Sequence, residues 1–469
     1  MLFNSSIFAA FIAVLLPVYL LARFSKPRKF VLLVASYLFY ADWDYRYLAL
    51  LFISTAVDFY VGRRMAVAVR ATERRLLLFV SLITNLGLLA VFKYGNFILD
   101  TGGWIWAALD VSLPRLPETI PVGISFYTFQ TLSYTIDIYR GHRKPEESAL
   151  NFALYVSFFA QLVAGPIVRS SQFLPQIRTM PELKMEPIAA GAQRFLLGLF
   201  KKIVIADNVA LYVDTVFADP SAHSAPVLWC AAYGFALQIY CDFSGYTDMA
   251  LGIAQGFGLK LPENFNAPYL SRSITEFWRR WHISLSTWLR DYLYIPLGGS
   301  RISQQRTYFN LMVTMLLGGL WHGAAWNFVF WGGFHGAMLA VERARGWRLN
   351  DEPSSAIFGA SLLRILLTFH LVTIAWVTFR AESFGLMATY LHRMCWAWSV
   401  EDPLLNLGLF WAVVAALLAC GQYVELRYRL RETVWQRLPA PICGLALASL
   451  VIMMSLFHVD DVAFIYFQF

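Results

Sequence analysis

Residues 307–341 read TYFNLMVTMLLGGLWHGAAWNFVFWGGFHGAMLAV, a stretch without one Asp, Glu, Lys or Arg. Its length and composition predict membrane-spanning structure, because about 20 apolar residues in a helix cross the hydrocarbon core. Within it, Leu320-Trp321-His322-Gly323-Ala324-Ala325 places an imidazole inside the membrane. An ionisable side chain in hydrocarbon costs roughly 3 kcal/mol or more unless it faces protein or water. His322 is therefore a candidate functional residue, with a neutral structural histidine bonded to a backbone carbonyl as the alternative.

The composition of the whole chain also indicates a membrane protein. Of the 469 residues, 58% are hydrophobic and 14% are charged, whereas soluble domains carry about 25% charged residues. We predict an all-α polytopic membrane protein, with residues 1–469 in a single membrane domain. The net charge of +8 does not indicate nucleic-acid binding, because the basic residues cluster in short loops between apolar runs, as in proteins that follow the positive-inside rule.

The apolar runs predict roughly ten to twelve crossings, with some short or re-entrant pieces. The first run, Ile7 to Ala22, lacks the basic segment and cleavage site of a signal peptide and is expected to be the first membrane helix. The basic clusters within residues 23–29 and 63–75 are expected on the cytoplasmic side. The five cysteines form no C-x-x-C pair, so we predict neither a metal site nor a disulfide framework.

A second segment, Ser273 to Tyr294, is amphipathic. Ser273-Ile274-Thr275-Glu276 has the S-x-x-E spacing of a capping box, which predicts that a helix begins there. Helical spacing puts an apolar stripe on one face, with His282 at its edge and arginines elsewhere. Such a helix is too polar to cross lipid unaccompanied. His282 is expected to face a protein-lined cavity, and an interfacial helix on the cytoplasmic surface is the alternative.

A group of polar residues precedes this segment, in an otherwise apolar region. Its members are Gln238, Asp242, Ser244, Tyr246 and Asp248. Buried polar groups need partners. They are expected either to line a cavity or to form a structural network between helices.

Several motifs together carry a family resemblance. They are Trp278-Arg279-Arg280-Trp281-His282-Ile283-Ser284-Leu285-Ser286, Trp288-Leu289-Arg290-Asp291-Tyr292, Leu320-Trp321-His322-Gly323-Ala324, Pro121-Val122-Gly123-Ile124-Ser125-Phe126-Tyr127, Ala164-Gly165-Pro166-Ile167-Val168-Arg169, Asp242-Phe243-Ser244-Gly245-Tyr246-Thr247-Asp248 and Phe464-Ile465-Tyr466-Phe467-Gln468-Phe469. In this order they resemble the membrane-bound O-acyltransferase (MBOAT) family, most closely its alginate O-acetyltransferases and related bacterial exopolysaccharide acetylation proteins. The resemblance spans nearly the whole chain.

The resemblance implies a fold, a location and a reaction. The fold is a ring of tilted membrane helices, with re-entrant and amphipathic helices, around a central tunnel in the inner membrane. His322 corresponds to the essential histidine of the family, and His282 to one near it in that tunnel. An acetyl donor in the cytoplasm, with acetyl-coenzyme A expected, would meet an acceptor from the outer face there. No bound cofactor or metal is expected.

Further residues are candidates for binding the substrate or the donor. Arginine suits phosphate because its planar fork binds bidentately. The candidates are Arg279, Arg280, Arg290, Asp291, Trp281, Trp321 and Asp242, with Lys201 and Lys202 as further candidates for the donor's phosphates.

Acyl transfer to a hydroxyl needs a base and stabilisation of the developing oxyanion. We expect His322 to accept the proton, while His282, a nearby arginine or backbone amides polarise the donor carbonyl. The chain has no sizeable soluble domain, so a separate extracytoplasmic partner is expected in an alginate or cellulose system. The alternatives are a transporter of the acetyl donor without catalysis, and acylation of another wall polymer or of a lipid.

Overall fold

The computed structural model describes the chain except residues 23, 111–112, 117–119, 164, 183, 347–357, 429–438, 460–463 and 466–469. Within these described residues every regular element is helical and no strand occurs, which confirms the all-α prediction. Arg23 of the first basic cluster, Ala164 of one family motif and residues 466–469 of the terminal motif lie outside the described residues.

The chain divides into two compact units. The first unit comprises Met1–Phe195 and Tyr246–Pro262, and the second comprises Leu196–Gly245 and Glu263–Phe469. This division does not test the single membrane domain, which stays a prediction.

The first unit is built mainly from the first ten helices. They are α1 (Ser6–Leu21), α2 (Ser25–Asp44), α3 (Leu48–Val67), α4 (Ala71–Leu89), α5 (Gly95–Thr101), α6 (Gly103–Ala108), α7 (Ile124–Tyr139), α8 (Ala149–Ser157), α9 (Phe159–Leu162) and α10 (Ser170–Thr179). Helices α3, α4 and α7 pack on one another around the buried Asp58. Its carboxylate accepts hydrogen bonds from Thr135 Oγ1 and Asn85 Nδ2, both at 2.6 Å, and from the Ser81 hydroxyl. The bonds join three helices and satisfy the polar groups away from lipid.

The second unit contains the helices that carry the motifs. Two helices, α11 (Met185–Phe200) and α13 (Ala225–Gly256), contribute to both units. The others are α12 (Asp207–Ala218), α14 (Ile274–Arg280), α15 (Ile283–Leu289), α16 (Gln304–His322), α17 (Trp326–Ala344), α18 (Phe358–Arg380), α19 (Phe384–Trp396), α20 (Leu405–Tyr428) and α21 (Ala440–Leu456).

The charge-free stretch 307–341 forms a tight hairpin of α16 and α17. A Cβ added at Gly319 would collide with the Phe328 carbonyl oxygen, and one at Gly332 with the Met315 carbonyl oxygen. Only glycine therefore allows the two backbones to approach this closely. The hairpin turn follows His322, so the histidine lies at the end of a helix.

The segment from Ser273 to Tyr294 is not one helix, and the predicted continuous apolar stripe is wrong. Helix α14 ends at Arg280, and His282 adopts a left-handed conformation (φ 42°, ψ 55°) before α15 begins. An upstream loop takes over the hydrogen bonds at the break: Ile283 N–H donates to Asn264 O (3.0 Å), and Asn266 N–H donates to Arg280 O (2.9 Å). Trp281 and His282 are buried, which excludes the alternative of a helix lying wholly on a surface.

The predicted start of this segment is confirmed. Ser273 Oγ accepts a hydrogen bond from Glu276 N–H at 3.0 Å. The Glu276 carboxylate bonds the Arg272 amide at 2.9 Å instead of the Ser273 amide of a standard capping box. The next amides, of Ile274 and Thr275, donate to the carboxylate of Glu342 near the end of α17. A residue distant in sequence thus completes the cap.

Three helical stretches of the described chain are long and apolar enough to cross a membrane: Ala71–Thr101, Ser361–Arg380 and Leu405–Leu426. Ser6–Leu21 and Pro441–Leu456 are apolar but shorter. These helices support a multi-pass membrane architecture. The number of crossings and the central tunnel stay predictions.

Candidate active site

His322 lies at the C-terminal end of α16 inside an aromatic enclosure. Its side chain is 5% exposed. The centre of its ring is 5.0 Å from that of Trp321, 5.2 Å from Trp331 and 5.5 Å from Phe379. The hairpin turn and α18 therefore hold this imidazole away from bulk solvent.

The break between α14 and α15 brings His282 to the same place. The two imidazole centres are 6.5 Å apart, and Trp321 contacts both rings. His282 is fully buried, and Phe243 of α13 packs against its other side at 4.8 Å. Two histidines from separate segments thus meet in one buried aromatic enclosure, hereafter called the chamber.

Asn264 orients His282. No motif in the sequence indicated a role for Asn264. Asn264 Oδ1 lies 3.2 Å from His282 Nδ1 and accepts from Ser284 N–H (3.1 Å) and Ser284 Oγ (2.9 Å). A backbone N–H can only donate, so this atom is the amide oxygen, and His282 Nδ1 carries a proton to bond it. In neutral His282 the lone pair is then at Nε2.

A third buried histidine, His335, was also missed. It lies on α17, is fully buried, and its ring centre is 4.8 Å from that of Trp331. Trp278 Nε1–H donates to His335 Nδ1 at 3.3 Å. Indole can only donate, so Nδ1 has the lone pair and the proton of the neutral ring is on Nε2. His335 lies in the same charge-free stretch as His322, so its surroundings in the sequence indicate an imidazole inside the membrane in the same way.

Some buried N–H groups of the second unit find no acceptor within the described part of the chain. Trp331 Nε1, His335 Nε2 and Asn264 Nδ2 are examples. A buried donor without an acceptor costs about 1–3 kcal/mol. Such groups call for an explanation, and a substrate oxygen is one.

Trp281 extends the aromatic enclosure. Its ring centre is 5.0 Å from Trp376 and 5.6 Å from Phe277, and Trp376 stacks on Trp331 at 5.7 Å. Trp281 is 1% exposed. The structure therefore places Trp281 and Trp321 in the walls of the chamber.

The candidate donor-binding arginines differ in their surroundings. Arg279 is exposed, whereas Arg280 is half-buried and pairs with Glu276 at 2.8 Å. Arg290 pairs with Asp291 at 2.7 Å, and hydrogen bonding to this carboxylate raises the pKa of the guanidinium. Burial favours the neutral form of Glu276, but the Arg272 amide, Arg280 and Arg272 together hold its pKa below the usual value.

Asp242 forms a buried ion cluster in the second unit. Its Oδ1 lies 2.9 Å from Lys202 Nζ, which also lies 2.6 Å from Asp207 Oδ1. Asp242 Oδ2 accepts the backbone N–H of Ile465 at 2.7 Å. These contacts give Asp242 and Lys202 structural partners, and their substrate- or donor-binding roles stay predictions.

The other members of the polar group divide between the units. Ser244 lies 3.4 Å from Lys201 in the second unit, whereas Asp248 pairs with Arg194 at 2.8 Å in the first. Ser244 and Asp248 are therefore partnered locally. Among the described residues no three His, Cys, Asp or Glu side chains form a group that could hold a metal ion.

Comparison with known proteins identifies a family that the chain matches. Residues 140–348, which include both histidine motifs, match the family model described as MBOAT, membrane-bound O-acyltransferase family. The chain is 40% identical to the Probable alginate O-acetylase AlgI of Azotobacter vinelandii, over 92% of this chain and 85% of that protein. It is 42% identical to the protein of the same name from Pseudomonas aeruginosa, over 87% and 75% of the two chains. It is 38% identical to the Peptidoglycan O-acetyltransferase of Helicobacter pylori, over 82% and 77%.

Proposed function

The chain belongs to the membrane-bound O-acyltransferase family and is a multi-pass membrane O-acyltransferase, and from this premise we propose that it carries acetyl groups across the inner membrane for O-acetylation of an exported polysaccharide. The proposed donor is cytoplasmic acetyl-coenzyme A. The proposed acceptor is a hydroxyl group that reaches the chamber from the outer side.

The meeting of His322 and His282 in one chamber is the observation that carries this proposal. His322 takes the proton of the acceptor hydroxyl as its oxygen attacks the thioester carbonyl. A new C–O bond forms, and a tetrahedral intermediate with an oxyanion results. When this collapses, the C–S bond breaks, and the leaving thiolate receives the proton from His322. Atoms and charges then balance, and the histidine is regenerated.

The tautomer of His282 restricts its part in this scheme. With its proton on Nδ1, neutral His282 offers a lone pair at Nε2. It is suited to accept a hydrogen bond from the hydroxyl and less suited to polarise a carbonyl. The buried donors Trp331 Nε1 and His335 Nε2, on the hairpin helix that packs against His322, are better candidates for stabilising the oxyanion.

Recognition of acetyl-coenzyme A is assigned to arginines outside the chamber. Arg279 and Arg290 are exposed and carry guanidinium groups that suit phosphate. Lys202 is less suited, since two carboxylates surround its ammonium.

The relatives support a polysaccharide acceptor, whereas the particular polymer and the partner protein are part of the proposal. The names of the relatives specify alginate and peptidoglycan. An alginate-type or cellulose-type polysaccharide is proposed here, with an extracytoplasmic acetyltransferase partner that receives the acetyl group or completes the transfer. Direct acetylation of the polymer by the isolated protein would contradict the requirement for a partner.

The first prediction tests His322 as the base. We expect His322→Ala to reduce the acetyl content of the exported polymer by roughly 10²-fold or more, because a general base contributes about 10²–10⁴-fold. The matched control is His392→Ala, which removes an exposed histidine of α19. Normal acetylation by a stably inserted His322→Ala protein would contradict the assignment. Donor binding without any acylated product in the wild type would favour a transporter.

A further inference from the structure

A cavity of about 910 Å³ opens in the second unit, between α13, α18 and α20. Its walls are almost entirely apolar and include Leu237, Ile365 and Ala416. Along α20 the lining runs from Ala412 to Val424, which spans ~18 Å at the helical rise of about 1.5 Å per residue. One leaflet of the hydrocarbon core is about 15 Å thick, half of the ~30 Å total. The cavity therefore has the length of one lipid leaflet.

Among the described residues that line this cavity, Arg272 alone is charged. Its Nε donates to Glu276 Oε2 at 3.2 Å. Its two Nη groups make no hydrogen bond within the described residues. Glu276 is also shared with Arg280, at 2.8 Å. One carboxylate thus serves two guanidinium groups.

The charge lies at one end of the groove. Trp331 of α17 stacks on Trp376 of α18, and these two helices run antiparallel. Glu342, eleven residues further along α17, is therefore level with the first half of α18. Because Glu342 bonds the Ile274 amide, Arg272 lies toward the end of the groove formed by the start of α18.

We propose that this groove binds an anionic phospholipid, with its acyl chains along α18 and α20 and its phosphate on the free Nη groups of Arg272. Arginine bonds phosphate oxygens in pairs. A polysaccharide would need polar partners that the walls do not offer, and coenzyme A carries more phosphate than one guanidinium neutralises. An amphiphile with one anionic head group matches both the walls and the charge.

The inner wall of the groove adjoins the aromatic enclosure of the candidate active site. Tyr269 lines the groove, and its ring centre is 6.0 Å from that of Trp281, the neighbour of His282. Its hydroxyl accepts from Trp376 Nε1 at 3.2 Å. A bound lipid would therefore support one wall of the chamber from outside.

The test measures lipid retention and does not depend on the proposed function. The full-length protein, purified in detergent, is titrated with phosphatidylglycerol and phosphatidylcholine of identical chains, and bound lipid is counted by native mass spectrometry. We expect wild type to prefer the anionic lipid about tenfold, the equivalent of ~1.4 kcal/mol. Arg272→Gln should remove this preference, while Arg301→Gln, an exposed arginine that does not line the groove, should keep it.

A second variant tests the groove without altering charge. Ala416→Phe should fill it and reduce retention of both lipids, whereas Leu417→Phe, at the exposed neighbouring position of α20, should not. Equal retention of both lipids by wild type, or an unchanged preference in Arg272→Gln, would overturn the proposal. So would a membrane protein that copurifies in place of lipid and is released by Ala416→Phe.

Discussion

At the scale of single residues, hydrogen bonds give two buried histidines opposite tautomers. Asn264 keeps the proton of His282 on Nδ1, and Trp278 keeps the proton of His335 on Nε2. One ring, which neighbours His322, thus offers a lone pair, and the other, which packs on Trp331, offers an N–H. Acyl transfer uses both, because a proton must be held on one side of the reacting carbon while negative charge grows on the other.

The second prediction concerns the support of His282. Asn264→Ala removes the oxygen that accepts from the Ser284 amide and hydroxyl and from His282 Nδ1. Because His282 loses the oxygen that orients its ring, and misplacement of a reacting group lowers the rate, we expect a roughly tenfold or larger fall in kcat with a smaller change in KM. Asn264→Asp keeps an oxygen acceptor and should retain more activity than the alanine variant. The measurement is the initial rate of acetyl transfer in proteoliposomes.

Asn266, whose side chain is exposed, provides the control for the two Asn264 variants. Its backbone contributes to the helix break, but its side chain is exposed, so Asn266→Ala should behave like wild type. Equal rates for Asn264→Ala and Asn264→Asp would show that Asn264 does not position His282.

The sequence pointed to some residues of the candidate site and missed others. His322 was evident from its charge-free surroundings, and His282 from the family motif. His335 carried the same signal as His322, and it was overlooked because no motif drew attention to it. Asn264 had no such signal, since its contact with His282 depends on how a loop returns to a helix break.

At the scale of elements, the break between α14 and α15 decides whether the site forms. No Gly or Pro occurs between Ser273 and Tyr294, so helical periodicity alone favours one continuous helix. Tertiary hydrogen bonds from residues 264–266 compensate for the interrupted ladder. This compensation cannot be predicted from local sequence, whereas the start of α14 could be, because its cap is encoded by Ser273 nearby.

The third prediction tests the cap that α17 supplies to α14. The Glu342 carboxylate accepts from the Ile274 and Thr275 amides and from the Thr275 hydroxyl, at 2.6, 2.9 and 2.8 Å. Glu342→Ala should lower the free energy of unfolding by about 2–3 kcal/mol, since hydrogen bonds to charged groups are worth about 1.5–3 kcal/mol. Glu342→Gln, which keeps one acceptor oxygen, should lose less. Thermal unfolding in detergent measures both variants.

Activity should follow stability in these variants, because α14 carries Trp278, the partner of His335. Glu382→Gln removes an exposed carboxylate near Arg380 and serves as the matched control. A Glu342→Ala protein as stable as this control would exclude the capping role.

At the scale of the whole molecule, the sequence predicted the class of protein well. The shortage of charged residues and the apolar runs predicted the helical membrane architecture, and the order of the motifs indicated the family. The long-range contacts were not predictable, because a buried ion cluster joins residues that no local pattern relates. In the second unit, Asp242 bonds the backbone at Ile465 and so ties the centre of the chain to its C-terminal part.

The last prediction distinguishes a structural from a ligand-binding Asp242. Lys202→Met leaves the carboxylates of Asp207 and Asp242 buried without their shared ammonium, and breaking a buried pair in this way costs about 3–5 kcal/mol. Asp242→Asn leaves the Lys202–Asp207 pair intact, and its amide oxygen can still accept from Ile465. We therefore expect Lys202→Met to lower the melting temperature much more than Asp242→Asn, with acetylation falling in proportion to the folded fraction. If Asp242→Asn instead abolishes acetylation without loss of stability, Asp242 binds a substrate or donor, and its ion pair with Lys202 is not its main role.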